Sequence, residues 1–257
     1  MQVCSVRLQN NDKLPFSNDK RHILPMSSVD LAHNISSTQD KIQAARQEYN
    51  CAHDVQLIAV SKTRSADECR LAFNCGQTHF GENYLQEALD KISALAELDI
   101  VWHFIGPIQK NKTRPIAENF DWVHSVDREI IAERLNQQRP SHLPPLKICI
   151  QINIDDEDSK SGIAPEQLPA FAEKILTLPN IEFAGLMAIP RAQADFDSQY
   201  ETFKQLRLLL NSLKPELGHS NTLSMGMSND YQAAIAAGST MVRIGTAIFG
   251  PRRYPKE

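Results

Sequence analysis

Gln56-Leu57-Ile58-Ala59-Val60-Ser61-Lys62-Thr63-Arg64-Ser65-Ala66-Asp67-Glu68 is the stretch that decides the fold. Its apolar run, Leu57 to Val60, reads as a buried strand of a parallel sheet. Ser65 can cap a helix, Glu68 three residues on completes a capping box, and Gly76 can close it. The stretch is a strand–loop–helix unit. An open doubly wound sheet would place a glycine-rich phosphate loop at this first turn. The loop here is Ser61-Lys62-Thr63-Arg64, without glycine. A closed barrel, which removes both sheet edges, is the economical account.

The same unit recurs downstream. Further strands are expected over 78–80, 100–105, 122–125, 147–154, 181–187, 222–224 and 241–243, with helices between them. A leading helix over 29–49 carries Leu31, Ile35, Ile42 and Ala45 on one face, and the next helix buries Cys69, Ala72 and Phe73. Leu85, Ala88, Ile92 and Leu95 mark the helix after it, and another is expected over 110–119. A helix begun by Asp127 should turn Ile130, Ile131 and Leu135 inward. Pro165 suits the first turn of one bearing Leu168, Phe171 and Ile175. A long helix then carries Phe196, Tyr200, Phe203 and Leu210, and the last is expected between a Ser228 cap and Gly238. That makes eight strands, the final one followed by a short tail, with the leading helix free to cover the gap. The fold class is α/β, a single (β/α)8 TIM-type barrel over 26–257 with an extra N-terminal helix. Residues 1–25 are polar, lack the apolar core of a signal peptide, and are expected to be a disordered extension.

Composition narrows the function classes. With 42% hydrophobic and 23% charged residues the chain can build a real core, and a net charge of −4 gives no reason to expect nucleic acid or an anionic membrane. The five cysteines are odd in number, show no CxxC spacing and have no histidine cluster beside them. Reduced thiols in a cytoplasmic protein are expected, with no disulfide framework and no metal site. No run of 18 apolar residues suggests a membrane span. The acidic loop over 155–158 lacks EF-hand spacing and reads as solvated.

In a barrel of this kind the C-terminal strand ends build the active face. Lys62, Glu82, Asn83, His103, Ser125, Asn153, Met187, Ser224, Arg243, Gly245 and Thr246 all fall at or near those ends. Lys62 follows an apolar strand directly, where desolvation and the nearby cations Arg64 and Arg243 would lower its pKa and free the amine to attack a carbonyl. That carbonyl can belong to a cofactor, a sugar or a keto acid. Gly245 and Thr246, after the last strand, offer backbone N–H groups and a hydroxyl of the kind that hold phosphate, and Ser224 adds a hydroxyl from the adjacent strand. His103 reads as a hydrogen-bonded core histidine, Met225 and Met227 as packing, and Glu82-Asn83-Tyr84 as a helix cap.

The combination of Ala59-Val60-Ser61-Lys62-Thr63, Phe80-Gly81-Glu82-Asn83-Tyr84, Trp102-His103-Phe104-Ile105-Gly106, Ser159-Lys160-Ser161-Gly162, Gly185-Leu186-Met187, Leu223-Ser224-Met225-Gly226-Met227-Ser228 and Arg243-Ile244-Gly245-Thr246-Ala247-Ile248-Phe249-Gly250 resembles the YggS/PROSC family of pyridoxal phosphate homeostasis proteins. The resemblance runs in chain order from Met26 to the end. It implies a fold-type III barrel similar to the N-terminal domain of alanine racemase, with pyridoxal 5′-phosphate (PLP) as a Schiff base on Lys62. It also implies that Asn83, Ser224, Gly245 and Thr246 lie near the cofactor or its phosphate and that Arg243 faces the pyridine nitrogen. Residues 1–25 and Asp155, where a serine is common, depart from the family pattern.

A guanidinium opposite the pyridine nitrogen disfavours its protonation and so limits carbanion chemistry. Racemases of this fold draw a second acid/base, a tyrosine, from a C-terminal β-domain. The few residues after Gly250 would not form one, and Tyr254 is too near the terminus to replace it. The resemblance thus implies a PLP carrier in vitamin B6 and amino-acid homeostasis, monomeric, without substantial turnover, and in transient contact with PLP-dependent apo-enzymes. An amino-acid racemase ranks second and a Schiff-base aldolase third.

Overall fold

The computed structural model describes residues 28–155, 161–213 and 221–251. Helix α1 (Ser28–Glu48) leads into β1 (Gln56–Val60), α2 (Ala66–Asn74), β2 (His79–Glu82), α3 (Leu85–Ala94), β3 (Val101–Phe104), α4 (Thr113–Asn119), β4 (Trp122–Val126) and α5 (Glu129–Gln138). Then come β5 (Leu146–Gln151), α6 (Leu168–Leu176), β6 (Ile181–Met187), α7 (Phe196–Ser212), β7 (Thr222–Ser224), α8 (Tyr231–Ala236), β8 (Met241–Ile244) and α9 (Thr246–Phe249). Each strand pairs in parallel with its sequence neighbour. β8 pairs back onto β1, Gln56 opposite Met241 through Ala59 opposite Ile244, and the sheet closes into the expected barrel. The extension expected over 1–25 lies outside the described residues, as do Asp156, Glu157, Asp158, Lys160 and Tyr254.

Strand alternation sorts side chains into two cores. Leu57 and Ala59 point outward and join Leu31, Ile35, Cys69 and Ala72 in the layer between barrel and helices. Ile58, between them, is fully buried on the other side. Ser65 caps α2 as expected: its hydroxyl accepts from the Glu68 N–H while the Glu68 carboxylate accepts from the Ser65 N–H. Gly76 at φ +91 ends the helix in the left-handed region. α1 buries all four residues of its expected stripe and packs on α2, α8 and α9, so it does cover the β8–β1 seam.

Local details differ. The tail after β8 contains α9, whose single turn is too short to show helical periodicity in sequence. α5 starts at Glu129, and because Ile131, Ala132 and Leu135 define its buried face, the adjacent Ile130 stays 38% exposed. α8 starts behind Asp230, not Ser228, because Asp230 Oδ1 accepts from the Met227 N–H and organises the preceding turn. Residues 110–112 and 165–167 form 3₁₀ turns that precede α4 and α6. Phe196 is exposed at the start of α7, stacked between Tyr49 and Tyr200.

The loops that carry the site are packed against each other. A Cβ on Gly106 would lie 2.1 Å from the Asn83 carbonyl oxygen, so only glycine lets the loop after β3 pass the loop after β2. Gly106→Ala is expected to cost about 3 kcal/mol, the upper range for overpacking, measured by denaturant unfolding. A cost within about 0.5 kcal/mol, ordinary for a surface change, would show that these loops have room to separate.

Candidate functional site

The C-terminal ends of the strands open onto a cavity of about 160 Å³, roughly ten times the space a single buried water needs. Its size suits a small molecule. Lys62, Asn83, Arg243, Gly245 and Thr246 all line it, as does Arg64. Ser224 does not. It is fully buried below Arg243, with its hydroxyl bonded to Arg243 Nη1 and to His124 Nδ1, each at 2.7 Å.

Lys62 is half-buried on a loop clamped on both sides. The Ser61 carbonyl accepts from Lys91 Nζ at 2.7 Å, and the Thr63 N–H donates to Glu87 Oε1 at 2.6 Å. Thr63 sits at φ +63, a left-handed conformation that a threonine adopts only when its surroundings hold it there. Lys91 Nζ also reaches Glu82 Oε1 at 2.8 Å and Glu87 Oε1 at 2.5 Å, so its three N–H groups meet three acceptors. Burial alone would lower the Lys91 pKa, but the two carboxylates overcome it and hold the ammonium charged, with its pKa raised. Burial pushes the Glu82 carboxyl above its usual range, opposed by Lys91 and by the Ser61 hydroxyl at 2.6 Å. Glu82 is thus no helix cap. It is the buried anchor of the lysine loop.

Arg243 is 4% exposed at the cavity floor, held by Ser224 Oγ and by the Ala188 carbonyl at 3.0 Å. Burial lowers its pKa to about 10, with Asp230 and Cys149 opposing. Arg64 is drawn back from the cavity mouth by the carbonyls of Gly250 and Pro251 at 2.6 and 2.8 Å, and its guanidinium lies over the Phe249 ring. It therefore braces α9 against the lysine loop. Gly245 leads into α9, which leaves the Thr246 and Ala247 N–H groups at its first turn without helical partners. Among the described residues the lining contains cations, amide and hydroxyl groups but no carboxylate, and Val60, Ile105, Ile189 and Met227 supply apolar walls. Asn83 Oδ1 is buried there without a hydrogen-bond partner among the described residues.

Sequence reasoning missed Lys91, which sits on an amphipathic helix where lysine normally faces solvent, and missed Met227 and Ser228 as lining. Asp155, expected in a solvated loop, accepts from the Arg191 N–H at 2.5 Å. His103, expected as a hydrogen-bonded core residue, is one, with His79 and His124 as partners.

Removing Lys91 isolates the lysine loop from its anchor. Lys91→Met is expected to cost about 3–5 kcal/mol at neutral pH, the usual penalty for leaving one buried charge unpaired. Protonated Glu82 needs no counter-ion, so the penalty should shrink as pH falls toward the raised Glu82 pKa. Urea unfolding of wild type and variant across pH measures this, and a penalty independent of pH would show that the pair is not ionised.

Residues 31–253 match the family described as alanine racemase, N-terminal domain. The chain is 50% identical to the pyridoxal phosphate homeostasis protein of Escherichia coli K12 over 232 residues, 89% of this chain and 99% of that protein. It is 55% identical to the protein of the same name from Pseudomonas aeruginosa over 225 residues, 87% of this chain and 96% of that one. The solved structure of PipY from Synechococcus elongatus with PLP bound superposes with a TM-score of 0.75 at 35% identity, covering 86% of this chain and 100% of PipY. The barrel and its lysine-centred cavity thus place the chain in the pyridoxal phosphate homeostasis protein family, within the alanine racemase N-terminal domain family.

Proposed function

We propose that this chain binds PLP in the cavity at the C-terminal barrel face, attached through Lys62, and serves PLP (vitamin B6) homeostasis without substantial turnover. The observation that carries the reading is the donor set: among the described residues, Lys62, Arg64 and Arg243 line one cavity with no carboxylate in its lining, walled by apolar side chains. That set fits an anionic ligand with a flat apolar ring. Asn83 Oδ1, buried without a partner among the described residues, adds an acceptor for a ligand donor.

When bound, PLP supplies an aldehyde that a lysine amine can attack and a ring that can act as an electron sink. The residues here divide the work of holding it. The loop anchored by Lys91 and Glu82 sets Lys62 against the cavity, while Gly245 and Thr246 offer the N–H and hydroxyl donors suited to a phosphate. Arg243, fixed from below by Ser224, keeps positive charge opposite the place a ring nitrogen would occupy and disfavours a proton there. Ser224, expected near the phosphate, acts through Arg243 in this reading.

A racemase reading needs a second acid/base on the face of the substrate opposite the lysine. Among the described residues that line the cavity, none is a tyrosine, histidine, cysteine or carboxylate, which favours holding over turnover. The reading includes a cytoplasmic monomer that hands PLP to apo-enzymes in transient contacts. Cys69 and Cys149 are buried thiols whose pKa burial raises to about 12, which leaves them unreactive. Among the described residues no helix is long and apolar enough to cross a membrane.

The test is to incubate the protein with PLP, record its visible absorption before and after borohydride, and map the reduced adduct. A band abolished by reduction with a pyridoxyl group on Lys62 is expected. Lys62→Ala should lose the reducible band while keeping weaker, non-covalent PLP binding. An adduct on another lysine overturns the attachment point, and no binding by wild type sinks the cofactor reading.

A further inference from the structure

Barrels of this kind are normally filled with layers of Val, Ile and Leu. Here a continuous file of polar side chains crosses the interior. His79 Nδ1 lies 2.9 Å from His103 Nε2, and His103 Nδ1 lies 2.9 Å from His124 Nε2. His124 Nδ1 and Arg243 Nη1 each lie 2.7 Å from Ser224 Oγ. His103, His124 and Ser224 are fully buried. His79, the first residue of β2, is half-exposed at the end of the barrel opposite the cavity. The file therefore runs from the floor of the cavity to the far mouth.

Its hydrogen positions follow from one fact: a guanidinium only donates. Ser224 Oγ must accept from Arg243, so its own hydrogen needs an acceptor, and among the described residues its one other partner is His124 Nδ1. With Nδ1 accepting, neutral His124 carries its proton on Nε2 and donates to His103 Nδ1. His103 in turn donates from Nε2 to His79 Nδ1, and the His79 Nε2–H points away from the file. The rings are neutral. Burial first, and the Arg243 charge second, lower the His124 pKa to about 3. Burial lowers His103 well below the usual range, and a charge on His124 or His79 would lower it further. Lys147, whose ammonium lies over the Trp122 ring stacked on His103, opposes a charge on His79 and His103 from β5.

We propose that His124, His103 and His79 are positioning residues for Arg243: the file fixes one tautomer in each ring and, through Ser224, the direction in which the guanidinium is held against the cavity. The geometry stands without any ligand; only its effect on bound PLP rests on the function proposed above. A file of this kind has two polarities. Removing the acceptor at its far end would strand the His103 Nε2–H, which is fixed by its ring, and inversion moves the unmatched hydrogen onto the Ser224 hydroxyl, which can rotate. His103 and His124 would then both carry Nδ1–H, and Ser224 would accept from two donors, leaving its own hydrogen without an acceptor among the described residues and free to turn beside Arg243. A change at the far mouth is thereby transmitted to the ligand site.

The experiment is ¹⁵N NMR of the histidine-labelled full chain without cofactor, on wild type, His79→Phe and His79→Gln. The wild-type protein should show His79, His103 and His124 neutral and protonated on Nε2. His79→Phe should move the His124 proton to Nδ1, and His79→Gln, whose amide oxygen accepts from His103, should restore the wild-type pattern. His79 is half-exposed, so these variants avoid the folding risk of replacing His103 or His124. With PLP added, His79→Phe should shift the absorption maximum at unchanged stoichiometry, and His79→Gln should not. A wild-type His124 protonated on Nδ1, a charged ring at neutral pH, or a His124 tautomer unmoved in His79→Phe overturns the proposal. Failure of PLP to bind would overturn only the functional reading, because the tautomers are read without it.

Discussion

The pairing of β8 with β1 is the constraint on which the rest of the molecule depends. It brings two segments about 180 residues apart in sequence into adjacent positions, a contact whose loop-closure entropy is recovered only when the whole sheet forms. Once made, it sets the lysine loop after β1 beside Gly245 and Thr246 after β8, and Arg243 beneath them. The Gly245 position is tight, with a Cβ there only 3.1 Å from the Val60 carbonyl. Asn34 Nδ2 on α1 donates to the Ile248 carbonyl at 3.0 Å and ties the leading helix across the same seam. The extra N-terminal helix is thus part of the closure that creates the cavity.

Charge is arranged around that seam with a consistent sense. Positive groups line the cavity while their carboxylate neighbours stand outside the lining. Lys91 is matched behind the lysine loop by Glu82 and Glu87, Arg64 has Glu68 3.6 Å away, and Arg243 feels Asp230. Each carboxylate supports a buried cation without neutralising the space where a ligand would sit. An anion entering the cavity meets a field already assembled.

The fold was legible because its signals are local. The Ser65–Glu68–Gly76 signature and the alternating strand and helix periods each reside within one element, and Lys62, Asn83, Gly245 and Thr246 sit just beyond strand ends, where the barrel fold itself assigns function. The unread parts are made by contacts between distant elements. Nothing local separates Lys91 from a solvated lysine, since its partners come from β2 and from the loop after β1. Ser228, Asn229 and Asp230 are all good helix caps in isolation, and the choice of Asp230 is made by its bond to Met227. The histidines of β2, β3 and β4 did carry a signal, one per consecutive strand. Their common line through the interior depends on the stagger of the barrel, which sequence alone does not express.

The polar file and the buried Lys91–Glu82 pair illustrate two ways of making an interior specific. The ion pair is strong only while both partners remain, and it fixes the backbone on either side of Lys62. The file contains neutral rings, so it avoids the cost of burying further charge, yet its direction is dictated from one end by a guanidinium that cannot accept a hydrogen bond. Hydrophobic side chains would fill the same space more cheaply but would leave Arg243, among the described residues, with the Ala188 carbonyl alone. Uncompensated, that guanidinium would have its orientation set by whatever occupied the cavity. Held by Ser224 and the rings behind it, it meets a ligand in an orientation chosen before binding, which limits the reorganisation that binding requires.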